Sequence, residues 1–114
     1  MKKINLAITG CMGRMGQQLI KSANKDKAFK ITSLTESRRI NKRIFGVSPE
    51  INSIDAFKKA NVIIDFTVPK CTFEILKIAF KLKKKVVIGT TGFTKKEEKL
   101  IKKFSNKIPI LKAG

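Results

Sequence analysis

Three glycines spaced three residues apart, Gly10, Gly13 and Gly16, constrain the fold of this chain more than any other feature. They follow the apolar run Ile4–Thr9 and precede Arg14–Asn24, where apolar residues recur at helical spacing. Glycine allows a tight turn, the close approach of a ligand, or close packing of a helix. Because a helix N-terminus offers free N–H groups to a phosphate, this strand–turn–helix unit predicts a diphosphate-binding turn, although its spacing departs from the usual G-x-G-x-x-G.

An acidic residue downstream supports this interpretation. The predicted second strand, Phe29–Thr35, ends in Glu36, twenty positions after Gly16. A carboxylate at this place in a βαβ unit accepts the hydroxyls of an adenosine ribose. Arg38 and Arg39 follow, and an arginine here pairs with the 2′-phosphate of NADP whereas Glu36 repels it. The choice between NADH and NADPH therefore stays open, and we expect the chain to use both.

The rest of the chain alternates apolar runs with helical patterns, which predicts a Rossmann-like, doubly wound parallel α/β sheet in a single domain, residues 1–114. The further strands predicted are Asn61–Thr67, Val86–Gly89 and Ile108–Leu111, and the further helices are Ile54–Lys59, Pro69–Lys81 and Thr94–Ser105. The continuous apolar run in Asn61–Thr67 is typical of a strand covered on both faces. Residues 37–53 lack a pattern, apart from a short strand expected near Ile44–Val47.

Two other predicted strands end in small and hydroxyl-bearing residues, D-F-T-V-P and G-T-T-G-F. In the second segment, Gly89 permits the backbone to approach a flat ring or a ribose, and Thr90 and Thr91 offer hydroxyls. Ordinary strand-to-helix loop chemistry explains the same residues. Asp65 is a candidate catalytic carboxylate, but its place within a strand beside Phe66 favours a structural role.

The strong positive charge, +18 from 26 basic and 8 acidic residues, raises the question of nucleic-acid binding. Only four of the basic residues are arginine, the residue that grips phosphate with a fork of donors, and the lysines are spread along the predicted helices. The chain contains no Tyr or Trp to stack on bases. We therefore expect a lysine-rich composition rather than a nucleic-acid-binding protein.

The sequence lacks the features of membrane proteins and of metal-binding or disulfide-bonded proteins. No apolar run approaches the roughly 18 residues that span a bilayer, so we expect no membrane association. Cys11 and Cys71 have no metal-type spacing, and we expect two reduced thiols, no metal site and a cytoplasmic location.

The ordered set G-C-M-G-R-M-G, Glu36, D-F-T-V-P, V-I-G-T-T-G-F and I-L-K-A-G resembles the dinucleotide-binding domain of the 4-hydroxy-tetrahydrodipicolinate reductase (dihydrodipicolinate reductase) family, from Ile4 to Gly114. The resemblance implies an oxidoreductase of bacterial lysine and diaminopimelate synthesis. Such an enzyme uses NADH or NADPH to deliver a hydride to a cyclic, unsaturated dicarboxylate.

The resemblance also implies a set of cofactor-binding residues. The diphosphate would lie on Gly10, Cys11, Met12, Gly13, Arg14 and Met15; the adenosine ribose on Glu36, with Arg38 nearby; and the nicotinamide end beside Gly89, Thr90, Thr91, Ala113 and Gly114. The family often has arginine directly after the acidic residue, whereas this chain has Ser37 there. That difference puts the contact with a 2′-phosphate in question.

The family continues with a second domain that binds the dicarboxylate substrate through paired histidines and a lysine and builds a homotetramer. No histidine occurs among these 114 residues, so we expect no catalytic residue here and no turnover by this chain alone. We expect it to bind the cofactor, and to meet the dicarboxylate only together with the second domain. A free-standing nucleotide-binding regulatory module and a basic nucleic-acid-binding protein remain as alternatives.

Overall fold

The computed structural model describes residues 2–112, which fold around one six-stranded sheet. The strands are β1 (Ile4–Thr9), β2 (Phe29–Glu36), β3 (Glu50–Ile51), β4 (Val62–Asp65), β5 (Lys85–Ile88) and β6 (Ile110–Lys112), and the helices are α1 (Arg14–Lys25), α2 (Ile54–Phe57), α3 (Pro69–Leu82) and α4 (Lys95–Ser105). The strand order is β3-β2-β1-β4-β5-β6 and every pair of neighbours is parallel. The predicted doubly wound α/β sheet is confirmed.

The winding reverses between β1 and β4, the two central strands. From β1 the chain builds outward through β2 to β3, then returns to β4 and builds the other way to β6. In open parallel sheets, ligands bind at this reversal point, beyond the carboxyl ends of the strands. The predicted glycine turn follows β1 at that end of the sheet.

Two hydrophobic cores cover the two faces of the sheet. The smaller one packs α1 and the segment 37–49 on the sheet through Ile8, Cys11, Ile20 and Leu34, with Ile44 and Val47 against them. The larger one packs α2, α3 and α4 on the opposite face, and its buried members include Phe57, Ile63, Ile75, Leu76, Val86, Ile88 and Ile101. An irregular segment therefore takes the place of a second helix beside α1.

The structure corrects three details of the predicted elements. The strand expected near Ile44–Val47 is a tight hairpin with one antiparallel bridge, in which Phe45 and Gly46 have positive φ angles of 47° and 80°. The two-residue strand β3 was not predicted, because so short a strand has no periodicity. In β4, Ile63 and Asp65 are buried whereas Val62 and Ile64 are partly buried, so within residues 2–112 one face of this strand is covered more fully than the other.

The helix ends follow their predicted chemistry at α4 and α3. Thr94 accepts a hydrogen bond from the Glu97 N–H, and the Glu97 side chain accepts one from the Thr94 N–H, so the predicted capping box is confirmed. Pro69 occupies the first position of α3, where its missing N–H is not needed. By contrast, the N-terminus of α1 at Gly13 has no side-chain cap.

Candidate functional site

The three positions of the turn are occupied by glycine for different structural reasons. Gly10 has a φ of +64°, and a Cβ there would lie 2.5 Å from the carbonyl oxygen of Phe66. A Cβ at Gly16 would lie 2.2 Å from the carbonyl oxygen of Gly10, so the close packing predicted at Gly16 is present, but the helix packs there on the turn rather than on the strand. Gly13 is exposed, and its Cβ would meet only the Gly10 carbonyl oxygen, at 3.3 Å. Packing inside the chain explains Gly10 and Gly16, whereas Gly13 leaves an open surface.

The first three N–H groups of the turn already have partners inside the protein. Their bonds are Cys11 N–H to the Thr35 carbonyl oxygen (3.1 Å), Met12 N–H to Glu36 Oε2 (3.1 Å) and Gly13 N–H to the Gly10 carbonyl oxygen (3.0 Å). These bonds tie the turn to the end of β2 and fix its shape. They also mean that Cys11 and Met12, two of the residues predicted to bind diphosphate, use their amides to support the turn.

The next three N–H groups belong to the first turn of α1. The first helical bond of α1 runs from the Gln17 N–H to the Gly13 carbonyl oxygen, at 3.0 Å. Within residues 2–112, the N–H groups of Arg14, Met15 and Gly16 have no acceptor. Because the helix dipole adds partial positive charge at the same place, this end of α1 favours an anion.

Glu36 stands beside this helix end. Its Oε2 accepts the Met12 N–H at 3.1 Å, and its Oε1 accepts the Ser37 N–H at 3.0 Å. Each carboxylate oxygen can accept a second hydrogen bond, and the side chain is only partly buried. Backbone amides thus orient the carboxylate while leaving it capacity for hydroxyl donors.

A cleft of about 260 Å³ joins the glycine turn to Glu36. It is lined by Gly10, Gly13, Glu36, Ser37, Asn52, Phe66, Thr67, Val68 and Cys71. These residues come from the carboxyl ends of the four strands β1 to β4 and from the first turn of α3. The structure therefore brings together Gly10, Gly13 and Glu36, which the sequence predicts to act as one site.

Another cleft, of about 230 Å³, lies at the opposite, amino-terminal end of β1 and β2. Lysines line it, among them Lys3, Lys25, Lys27 and Lys30. It contains none of the residues that the sequence singles out. We place the candidate site in the cleft at the carboxyl ends of the strands.

Asp65, the candidate catalytic carboxylate, has a structural role. It is completely buried at the end of β4 and accepts hydrogen bonds from four threonine hydroxyls. The donors are Thr9 (2.7 Å) and Thr67 (2.6 Å) on Oδ1, and Thr72 and Thr90 (3.0 Å) on Oδ2. The structural interpretation of Asp65 is confirmed, because its oxygens are occupied by donors from β1, α3 and the two following loops.

Three of the residues predicted for the nicotinamide end, Gly89, Thr90 and Thr91, follow β5. The Thr90 hydroxyl points inward, where it donates to Asp65 and accepts the Thr67 N–H at 2.9 Å, so it is not the free hydroxyl that the sequence suggested. Gly89 is required by Phe66, whose ring would lie 1.9 Å from an added Cβ. Thr91 is exposed.

The structure says less about the remaining residues that were predicted to bind the cofactor. The side chains of Arg14, Met15 and Arg38 are exposed. Ala113 and Gly114 lie outside the described residues. Within residues 2–112, no three metal-ligating side chains cluster, and none of the helices is long and apolar enough to cross a membrane.

Six lining residues were not among those predicted to bind: Ser37, Asn52, Phe66, Thr67, Val68 and Cys71. Four of them fall in or just after the D-F-T-V-P segment, whose position at a strand end was the available signal. Asn52 lies in the segment 37–53, where the sequence shows no pattern. Its place in the site depends on the pairing of β3 with β2.

The two thiols of the site region are poor nucleophiles at neutral pH. Burial, with a further contribution from the Glu36 carboxylate, raises the pKa of Cys11 to about 11. Burial also raises the pKa of Cys71, and the neighbouring carboxylates, Glu74 first, add to this. Both cysteines are free, Cys11 is buried, and Cys71 is partly exposed in the cleft.

Comparison with known sequences gives a consistent result. The family model described as dihydrodipicolinate reductase, N-terminus, matches residues 4–114. The chain is 68% identical, over 114 residues, to the 4-hydroxy-tetrahydrodipicolinate reductase of Pelagibacter ubique, covering 100% of this chain and 44% of that protein. It is 40% identical to the enzyme of the same name from Buchnera aphidicola of Schizaphis graminum, covering 99% of this chain and 46% of that protein. The chain thus spans about half the length of these relatives.

Solved structures share the fold. A dipicolinate-bound dihydrodipicolinate reductase from Paenisporosarcina superposes with a TM-score of 0.79 at 23% identity, over 98% of this chain and 47% of that one. A homoserine dehydrogenase from S. aureus superposes with a TM-score of 0.78 at 16% identity, over 98% of this chain and 32% of that one. At these identities the likeness establishes the fold alone.

Proposed function

The chain belongs to the dihydrodipicolinate reductase family, as its N-terminal part, and on this premise we propose that it binds NADH or NADPH in the cleft at the carboxyl ends of β1 and β2. One observation carries the proposal: the N–H groups of Arg14, Met15 and Gly16, unpaired within residues 2–112, begin a helix whose preceding turn is bonded to a carboxylate that retains acceptor capacity. Phosphate oxygens need donors and ribose hydroxyls need an acceptor. The site offers both, side by side.

The diphosphate lies on the N-terminus of α1 in this proposal. Gly13 keeps the surface above the helix end clear, because the position is exposed and an added Cβ would contact only the Gly10 carbonyl oxygen, at 3.3 Å. The Met12 amide holds Glu36 instead of a phosphate oxygen, and thereby aims the carboxylate at the adenosine ribose. Arg14 adds a positive side chain at the rim.

In this proposal, Arg38 determines how well the site binds the 2′-phosphate of NADPH. It is exposed and follows Glu36 by two residues, with Ser37 between them. A guanidinium binds phosphate strongly, whereas Glu36 disfavours a second anion beside the ribose. We expect the two effects to offset each other, so that the protein uses both NADH and NADPH.

The nicotinamide lies toward the carboxyl end of β5, beside Gly89, Thr90 and Thr91. Because the Thr90 hydroxyl is held by Asp65, contact from Thr90 would come through its backbone, while Thr91 offers an exposed hydroxyl. Ala113 and Gly114 belong to the same predicted set. The bound cofactor supplies the hydride, and these residues orient its ring.

The reaction itself belongs to the whole protein. We propose reduction of a cyclic, unsaturated dicarboxylate in lysine and diaminopimelate synthesis, with the dicarboxylate bound and protonated by residues outside 1–114. Proton donation and substrate positioning each contribute orders of magnitude to such a rate. The 114-residue chain is therefore expected to bind the cofactor without turnover.

Isothermal titration of the 114-residue chain with NADH, NADPH, ADP-ribose and reduced nicotinamide mononucleotide tests this proposal. The open amides and Glu36 contact only the ADP-ribose half, so we expect NADH, NADPH and ADP-ribose to bind. The mononucleotide should bind at least about tenfold more weakly, a difference of about 1.4 kcal/mol. Failure of both NADH and NADPH to bind would overturn the proposed function.

A further inference from the structure

The cleft continues past Glu36 to a side chain that no comparison assigns a role. Glu36 pairs across the sheet with Ile51, and Asn52 is the next residue along the chain. Asn52 lines the same cleft as Glu36, and it follows β3, which lies on the other side of β2 from β1 and its glycine turn. A ligand that places its ribose on Glu36 therefore extends its next group toward Asn52.

Asn52 carries an unsatisfied hydrogen-bonding group. Within residues 2–112, two buried side-chain oxygens lack a hydrogen-bond partner, and they are Asn52 Oδ1 and Thr35 Oγ1. Leaving a buried polar atom unpaired costs about 1–3 kcal/mol, so a ligand that supplies the partner gains that energy. The terminal torsion of asparagine is soft, and the carboxamide can turn in place to present its oxygen and its NH2 group to the cleft.

The opposite wall of the cleft is suited to a flat, weakly polar group. It is built by Phe66, Val68 and Cys71, and the Val68 side chain is 57% exposed at its rim. An apolar side chain left open beside a carboxylate and a carboxamide fits a ring with polar edges and apolar faces. A nucleoside base attached to the ribose on Glu36 has this shape.

We propose that Asn52 recognises the adenine edge formed by the exocyclic amine and N7, accepting a hydrogen bond from the amine and donating one to N7. A carboxamide pairs with adenine in this two-point manner because each partner places a donor beside an acceptor. Hypoxanthine presents two acceptors on this edge, its carbonyl oxygen and N7, so neither orientation of the carboxamide pairs with both. This inference rests on the proposed binding of NADH or NADPH and adds a residue that selects the base.

The test compares NADH with nicotinamide hypoxanthine dinucleotide in its reduced form, by titration calorimetry on the 114-residue chain. The wild type should bind NADH about tenfold more tightly, and Asn52→Ala should bring the ratio of the two affinities close to one. Asn41→Ala, at an exposed asparagine of the 37–49 segment, is the matched control and should keep the tenfold ratio. Glu36→Ala should weaken both ligands and also keep the ratio.

The outcomes separate this inference from the proposed function. If the wild type binds both dinucleotides equally, the role of Asn52 is overturned while the proposed function stands, and no variant is needed to see it. If Asn52→Ala weakens both ligands by the same factor, Asn52 shapes the cleft, for example through a water shared with Thr35, and does not read the base. If neither dinucleotide binds, both ideas fail.

Discussion

Asp65 and Glu36 each lie at the carboxyl end of a strand, at the same edge of the sheet, but they differ in their burial and in their hydrogen-bond donors. Asp65, at the end of β4, is completely buried and accepts four threonine hydroxyls. Glu36, at the end of β2, is partly exposed and accepts two backbone N–H groups. The first carboxylate has its partners inside the protein, whereas the second faces a cleft.

This comparison shows which surroundings make a carboxylate at the end of a strand stabilise the fold and which leave it able to bind a ligand. Side-chain donors from four separate places converge on Asp65, so the carboxylate fastens β1, α3 and the loops after β4 and β5 to one another. Backbone donors at Glu36 only orient the group. We conclude that Asp65 holds the edge of the sheet in shape and that Glu36 uses this shape to contact a ligand.

Removal of the Asp65 carboxylate should have the largest effect on stability. In Asp65→Ala, Thr72 retains the Val68 carbonyl oxygen at 3.3 Å, but within residues 2–112 the Thr9 hydroxyl loses its acceptor and so does that of Thr90. Two buried, unpaired hydroxyls and the lost contacts should lower the free energy of unfolding by about 4 kcal/mol.

Urea unfolding followed by circular dichroism measures this change. The control is Asp55→Ala, whose carboxylate is 88% exposed and lies 3.8 Å from Lys58. Loss of such a surface pair should cost about 0.5 kcal/mol or less. Equal losses in the two variants would remove the distinction between Asp65 and a surface carboxylate.

The glycine turn allows the same comparison between two positions, since Gly16 supports the fold and Gly13 borders the proposed binding site. Gly16→Ala places a Cβ 2.2 Å from a backbone oxygen and should destabilise the fold by about 3 kcal/mol. Gly13→Ala meets that oxygen at 3.3 Å, so it should cost well under about 1 kcal/mol. It should nevertheless weaken NADH binding, since the added methyl group stands over the open amides. A Gly13→Ala variant with unchanged NADH affinity would argue against the diphosphate position.

Replacement of Glu36 should affect binding more than stability. Glu36→Ala removes an acceptor for ribose hydroxyls, and the loss of charge-assisted hydrogen bonds should weaken NADH by about 2 kcal/mol, or about 30-fold. The Met12 and Ser37 amides lie near solvent and can bond to water, so unfolding should change by about 1 kcal/mol or less. Calorimetric titration and urea unfolding of one preparation measure both quantities. A loss of stability as large as that of Asp65→Ala would contradict the assigned roles.

The smallest expected effect is on the rate at which the two cysteines are alkylated. Burial and nearby carboxylates raise the pKa of Cys71 above its usual value, so its alkylation should accelerate about tenfold per pH unit through pH 8 and level off only above the usual thiol range. Bound NADH should slow this reaction a few-fold, because Cys71 lines the cleft. Buried Cys11, with its pKa of about 11, is the internal control and should stay unmodified. Unchanged labelling of Cys71 at saturating NADH would place the ligand elsewhere.

The sequence predicted the parts of this site that depend on local backbone. A glycine turn between a strand and a helix, and an acid at the end of the next strand, lie within 30 residues and need only one βαβ unit. The hydrogen bond from Thr9 to Asp65 could not be predicted, because Thr9 lies 56 positions away and reaches it only through the register of β1 against β4. Asn52 was missed for the same reason, since the short strand β3 places it beside Glu36.

The most direct test of the central claim is a ¹H–¹⁵N correlation spectrum of the chain, recorded while NADH is added. We predict that the largest shifts of backbone amides fall on Arg14, Met15 and Gly16, as their free N–H groups meet the diphosphate. The amide of Lys27, in the cleft at the opposite, amino-terminal end of β1 and β2, should not move. Saturable shifts that leave the three α1 amides unchanged would contradict the account.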